Sequence, residues 1–386
     1  MTARRAKVVV FGILFWYPLS GVTYQFLHYL IALRRLGYDP YYIEDSARWI
    51  YDPALDDVSG DALPNIEAVA PILRRHGFGD RWGFRGGYPG GQCYGMTETQ
   101  IEELYHEAEA FLNVTGAQEI REEHMQIPSR IYVESDPVAM QIRVAKGDVS
   151  ALDALHAHTM LFTFGENFGA QDCGVPLERF RWFPTRQPVV LDFWAPLEAD
   201  SGSYTTVASW RNKGNDIEWN GDTYYWSKDR EFMKLLDLPP DAPVPLELAL
   251  SPTEDYRLLT EHGWKIAPAV NISRDAETYR DYIRRSHGEF TVAKDQNVRL
   301  RSGWFSDRSA CYLASGRPVI SQDTAFGNIL PTGRGLFAFQ TRDDIVQALQ
   351  IIEADYPAQR RAARDIASEY FAAEKVVGSL MARAGL

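Results

Sequence analysis

Residues 287–335 restrict the fold of this chain more than any other stretch. The apolar run at 289–293 is short and rich in β-branched residues, which reads as a buried strand. Residues 309–314 carry a helical apolar spacing that stops at Gly316, and 318–320 reads as the next strand. Strand, helix and strand in so short a space belong to a doubly wound α/β sheet. Between the first strand and the helix lies Ser302-Gly303-Trp304-Phe305-Ser306-Asp307-Arg308, a glycine-bearing loop that feeds a helix N-terminus. Free backbone N–H groups and the helix dipole at such a point can hold phosphate oxygens. Ser306, Asp307, Arg308 and Ser309 are therefore candidate diphosphate ligands, with a plain N-cap as the simpler role for Ser306 or Asp307.

A chain of 386 residues exceeds one typical core, so two domains are expected. The split of 52 acidic against 40 basic residues gives a net charge of −12, on which a nucleic-acid partner is not expected. Any anionic ligand must then meet a local basic site. Cys93, Cys173 and Cys311 stand far apart and form neither a disulfide framework nor a zinc ribbon, which points to a reducing cytoplasm. The basic and apolar N-terminus is interrupted by Tyr17, Pro18 and Gly21 and lacks a small-residue cleavage site, so it reads as structure and not as a signal. No run is long enough for a membrane span.

From the N-terminus, residues 7–14 read as a strand, 22–36 as a helix ended by Gly37, and 38–44 as a second strand. Ligands of parallel sheets bind at strand carboxyl ends, which places Gly21 near one. Residues 77–95 are glycine-rich, with Arg81, Trp82, Arg85 and Tyr88, and are expected to form a mobile loop suited to an acceptor or to closure. A helix is expected over 97–112 and strands over 131–133 and 159–164. Their ends carry Asp136 and Glu166 into one crevice, although Asp136 before Pro137 also makes a good N-cap. A proline-rich segment at 184–202 marks the domain boundary, and 204–210 starts a new strand followed by Arg211 and Lys213. Two helices, at 341–353 and 357–386, close the chain.

This layout, with Ala-Ser-Gly-Arg-Pro-Val-Ile at 314–320 and Gln322-Asp323-Thr324 after it, resembles the GT-B-fold glycosyltransferases. The resemblance implies two Rossmann-like doubly wound α/β domains facing a cleft: 1–195 for the acceptor, 196–360 for a nucleotide sugar, and a helix at 361–386 returning to the first domain. It implies transfer of a sugar from a nucleoside-diphosphate sugar to a small-molecule or glycan acceptor, with no cofactor and no metal. Gly21, Arg211, Lys213 and residues 306–309 would hold the donor diphosphate, and Asp323 and Thr324 the sugar. Asp136 would be the catalytic base, with Glu166 and His28 behind it. The two glutamates of the retaining branch are absent, since their positions fall at Gly303 and Cys311. Two other readings fit the same residues: a metal-dependent transferase using Glu134 and Asp136, and a two-domain protein that binds a small ligand without catalysis.

Overall fold

The computed structural model of the protein describes residues 5–46, 50–53, 57–86, 91–212 and 214–386. Tyr88 and Lys213 lie outside the described residues. Two parallel sheets organise the rest. The first runs in the order Trp182–Pro184, Met160–Thr163, Ser129–Glu134, Ala110–Val114, Lys7–Phe11, Asp39–Glu44 and Trp82–Arg85, with Cys93–Gly95 added antiparallel at the edge. The second runs Lys265–Pro268, Leu246–Leu250, Tyr204–Ala208, Gly288–Thr291, Val319–Gln322 and Leu336–Phe339, all parallel. Each sheet therefore winds outward both ways from its first strand. The reversal opens a crevice beside the carboxyl end of Lys7–Phe11 in one sheet and of Tyr204–Ala208 in the other.

The central strands are apolar on both faces, as strands covered by helices must be: Val8, Val9, Val10 and Phe11 are fully buried. The helix Ser20–Arg35 is buried over most of its length because it packs on its own sheet and also meets the helix Ala276–Arg285 of the other half. The chain ends in the helix Ala373–Arg383, which returns to the first half. Val377, Leu380 and Met381 join the core around Val8 and Leu30, and Glu374 pairs with Arg35 at 2.6 Å.

Several boundaries differ from the expectation. The helix expected over 97–112 is Glu98–Glu107, started by a Thr97–Gln100 capping box, and Ala110–Val114 is a central strand. The single long helix expected over 357–386 is broken into Tyr356–Ile366, a π-helical turn Ala367–Phe371, and Ala373–Arg383. Val189 causes the break by bonding the backbone on either side, its N–H to Phe371 O and its carbonyl from Ala373 N. Within 77–95, where a loop is expected, Trp82–Arg85 and Cys93–Gly95 are strands, and 87–90 lie outside the described residues. Arg85 is 1% exposed and donates to Asp45 Oδ2 and Glu123 Oε1, so it is a structural cation and not a reader of acceptor. No helix among the described residues is long and apolar enough to cross a membrane.

Candidate functional site

A cavity of about 370 Å³ lies between the halves, lined by the start of the helix Ser20–Arg35 on one side and by the strand ends of the second sheet on the other. Contacts bridge the two halves along both of its flanks. Ser20 Oγ donates to Ser273 O at 2.7 Å and Tyr24 Oη to Ala276 O at 3.0 Å on one flank. On the other, Trp304 Nε1 donates to Ser135 O at 3.0 Å, Asn167 N to Ser302 O at 3.1 Å, and Lys294 pairs with Asp136.

The loop into the helix Asp307–Ala314 is fixed from within. Gly303 N donates to Thr324 O at 2.7 Å, and Ser302 Oγ accepts from Trp304 N while donating to Asn297 Oδ1. Gly303 sits at φ +81, and a Cβ there would lie 2.4 Å from Asn167 N, so only glycine allows this close approach of the two halves. Ala310 N begins the helical bonding to Ser306 O. The N–H groups of Asp307, Arg308 and Ser309 have no acceptor among the described residues. They form the positive end of a helix whose first residues line the cavity.

Lys228 faces the same cavity. It is 8% exposed, its ammonium lies 5.6 Å from the centre of the Trp304 ring, and it makes no hydrogen bond or ion pair with any described residue. Burial, helped by Arg308 and Lys294, pulls its pKa down to about 7. Asp307 is displaced the other way: burial and the nearby Asp136 carboxylate push it up to about 7, against the opposing pull of Arg308. A buried lysine that pairs with no described carboxylate, on the same cavity as a helix start with three N–H groups free of acceptors, can hold an anion.

The other residues named from the sequence fall in three groups. Gly21 lines the cavity, where a Cβ would come within 3.3 Å of Tyr279 Oη. His28 also lines it, but its Nε2 accepts from Trp194 Nε1 at 3.1 Å and burial lowers its pKa to about 3, so it stays neutral and structural. Arg308 lines it too, yet its donors are spent on Glu289 Oε1 at 2.5 Å, Val207 O at 2.5 Å and Thr291 Oγ1 at 2.9 Å.

Arg211 lies outside the cavity and is held by Glu254 at 2.7 Å, Asp255 at 2.9 Å and Asp229 at 3.3 Å. Ser309 is buried with an unpartnered Oγ. Asp323 pairs with Arg301 at 3.1 Å, and Thr324 Oγ1 donates to Trp304 O at 2.6 Å; both brace the loop and neither lines the cavity. Glu166 pairs with Arg186 at 2.6 Å, and burial raises its pKa.

Asp136 does not cap a helix. The next helix, Ala139–Ala145, has Val138 as N-cap at φ +97, with its N–H taken by Gln141 Oε1 at 2.7 Å. A β-branched residue at positive φ is strained. Thr115 and Ala325, in the connections that leave the strands Ala110–Val114 and Val319–Gln322, also have positive φ, as do Asn220 and Arg301.

Glu134 does not fit a metal-ligand role. It is buried, both oxygens accept from Gln141 Nε2 and one from Thr163 Oγ1, and its pKa is pushed up to about 8 by burial. The sole group of His, Asp and Glu spaced for a metal among the described residues is Asp45, Glu123 and His124. There the Arg85 and Arg121 guanidiniums already occupy Asp45 Oδ2 and Glu123 Oε1.

The Glu134 shift gives a stability prediction. The folded carboxyl holds its proton up to about pH 8, against a usual value of 4.5. Between these limits the folded state binds more protons than the unfolded, so this group's contribution to stability falls as pH rises. Urea unfolding of Glu134→Gln should show a smaller loss of stability from pH 5 to pH 8 than the wild type, and an equal loss would place the proton elsewhere.

Lys228 was missed by sequence reasoning, because it follows no motif and its burial depends on Trp304, far along the chain.

No family model matches the chain, and no curated protein matches it in sequence. Solved structures do match. An alpha-glucosyltransferase in complex with UDP-glucose and DNA containing an abasic site superposes with a TM-score of 0.60 at 8% identity, covering 99% of this chain and 100% of the other. HepE of Anabaena, in complex with UDP and glucose, gives 0.58 at 9% over 99% and 100%. AviGT4, a glycosyltransferase involved in avilamycin A biosynthesis, gives 0.54 at 11% over 98% and 97%. These neighbours are GT-B glycosyltransferases. The DNA complexes correct one expectation: a protein of this build takes nucleic acid, so a net charge of −12 does not exclude that partner. What reads a nucleic acid is a local surface, and bulk charge is blind to it. With two Rossmann-ordered sheets, a cavity between them and a C-terminal helix returning to the first half, the chain has the GT-B fold.

Proposed function

We propose that this protein is a glycosyltransferase, moving a sugar from a nucleoside-diphosphate sugar to an acceptor in the cavity between the two sheets. The observation that carries this reading is Lys228, buried without an anion beside the free N–H groups of residues 307–309. A diphosphate supplies the missing charge, and developing charge on a leaving diphosphate is stabilised by such preorganised donors. The matched structures that hold UDP make uridine the first nucleotide to test. The ion pair Lys294–Asp136 and the Asn167–Ser302 contact close the flank facing the first sheet, so opening there would admit the acceptor. Three cysteines without disulfides suit a cytoplasmic protein.

A thermal-shift panel of UDP, GDP, dTDP, CDP and ADP tests the reading, since a ligand of the folded state alone raises the melting point. One diphosphate should shift it clearly, and a flat panel would count against the assignment. Because Lys228 and the helix N-terminus offset the leaving charge and Glu134 and Asp136 are committed elsewhere, turnover is expected to persist in EDTA. Loss in EDTA with recovery on adding Mn²⁺ would show that a divalent ion does this work instead.

A further inference from the structure

The first residue of the phosphate-facing helix, Asp307, is chemically misplaced for a passive anion site. Its carboxyl lines the cavity and makes no hydrogen bond or ion pair with any described residue. An ionised carboxylate there would repel a diphosphate held by the adjoining N–H groups, whereas a neutral carboxyl would donate to it. We propose that Asp307 is the acid of the reaction, giving its proton to the leaving diphosphate as the bond to the sugar breaks. This inference rests on the glycosyl-transfer reading of the cavity.

In that step the bond from the anomeric carbon to the β-phosphate oxygen breaks and its electron pair stays on the oxygen, which takes the Asp307 proton. The acceptor oxygen bonds to the anomeric carbon, and the proton it releases returns through solvent to Asp307. Charge on the diphosphate grows along this path, so a donor aimed at it acts most strongly in the transition state.

The surroundings hold the proton in place. Burial disfavours the ionised form, and Asp136, from the connection after Ser129–Glu134, adds its repulsion; Arg308 on the same helix opposes them. The helix Ser20–Arg35 presents Tyr29 and the neutral His28, and Ala276–Arg285 presents Tyr279, all buried and uncharged. One turn on, Cys311 is a buried thiol whose pKa burial pushes well up, so it too is uncharged. Of the other charges on the elements packed against this helix, Glu289 pairs with Arg308 through Oε1, Arg364 bonds Ala314 O at the far end, and Asp192 pairs with Arg35. Lys228, which lines the same cavity and pairs with no carboxylate of the described residues, gains an anion when the ligand arrives.

The test counts protons. Free Lys228 and Asp307 both titrate at about pH 7, and a bound diphosphate holds both in the protonated form. At about pH 8 the wild type should take up close to two protons per UDP bound, read by titration calorimetry in buffers of different ionisation enthalpy. Asp307→Asn should take up about one fewer while still binding UDP, and should hydrolyse UDP-glucose roughly a hundredfold or more slowly. Asp307→Glu, which keeps a titratable carboxyl, should restore the proton count. UDP binding by Asp307→Asn with an unchanged count and wild-type hydrolysis would overturn the proposal alone. Failure of the wild type to bind any nucleoside diphosphate would overturn the glycosyl-transfer reading and this proposal together.

Discussion

Arg308→Met is expected to cost on the order of 3–5 kcal/mol of stability, the range for stripping one partner from a buried ion pair. Glu289 is 0% exposed, its Oε1 accepts from Arg308 Nε at 2.5 Å, and its Oε2 has no partner. Without the guanidinium, a carboxylate would be left in the second sheet with only the Thr206 hydroxyl, at 3.4 Å, to answer it. Val207 O and Thr291 Oγ1 would each lose a donor as well. For a unit of this size that loss lowers the melting temperature by about 10 °C.

The double variant Arg308→Met with Glu289→Gln should recover much of the loss, because the buried charge is then gone from both sides. Arg211→Ala is the contrast. Its side chain is 48% exposed, so its ion pairs with Glu254, Asp255 and Asp229 are screened by solvent, and losing them should leave the melting temperature nearly unchanged. Equal melting temperatures for Arg308→Met and Arg211→Ala would show that the Glu289 pair is not structural. Sequence reasoning treats these two arginines as equivalent diphosphate ligands. The structure separates them into a buried brace beneath the cavity and a surface cation outside it.

That separation shows what was legible in the sequence. The strand, helix and strand of 287–335 could be read because periodicity and glycine placement are local signals, and so could the opening βαβ unit. Ala110–Val114 reads as part of the preceding helix because Ile101, Leu104, Tyr105 and Ala108 continue without a break into an apolar run, and a strand buried on both faces has no alternation to betray it. The break at Ala372 has no glycine or proline to announce it; Val189, far away in sequence, makes it. The same limit governs the site. Arg211 looks like a phosphate ligand until Asp229, Glu254 and Asp255 arrive from other segments, and Lys228 looks ordinary until the fold buries it without a partner. Cation positions are local, but cation commitments are tertiary.

Lys228→Met should therefore separate binding from stability more sharply than any other substitution. Methionine keeps the apolar stem over Trp304 and removes the charge. A charge-assisted bond to phosphate is worth on the order of 1.5–3 kcal/mol, so UDP affinity should fall about tenfold to a hundredfold. The unliganded variant should be no less stable than the wild type, because a buried ammonium without an anion costs free energy in the empty protein. The sign of the pH effect follows from the same displacement. Free Lys228 loses its proton at about pH 7, and a bound diphosphate pushes that pKa back up, so the complex holds more protons and binding weakens as pH rises above 7. Lys228→Arg, whose charge does not titrate, should keep affinity and remove one proton's worth of that slope, leaving the part due to Asp307. Wild-type UDP affinity in Lys228→Met, measured by calorimetry at pH 7, would take Lys228 out of the site.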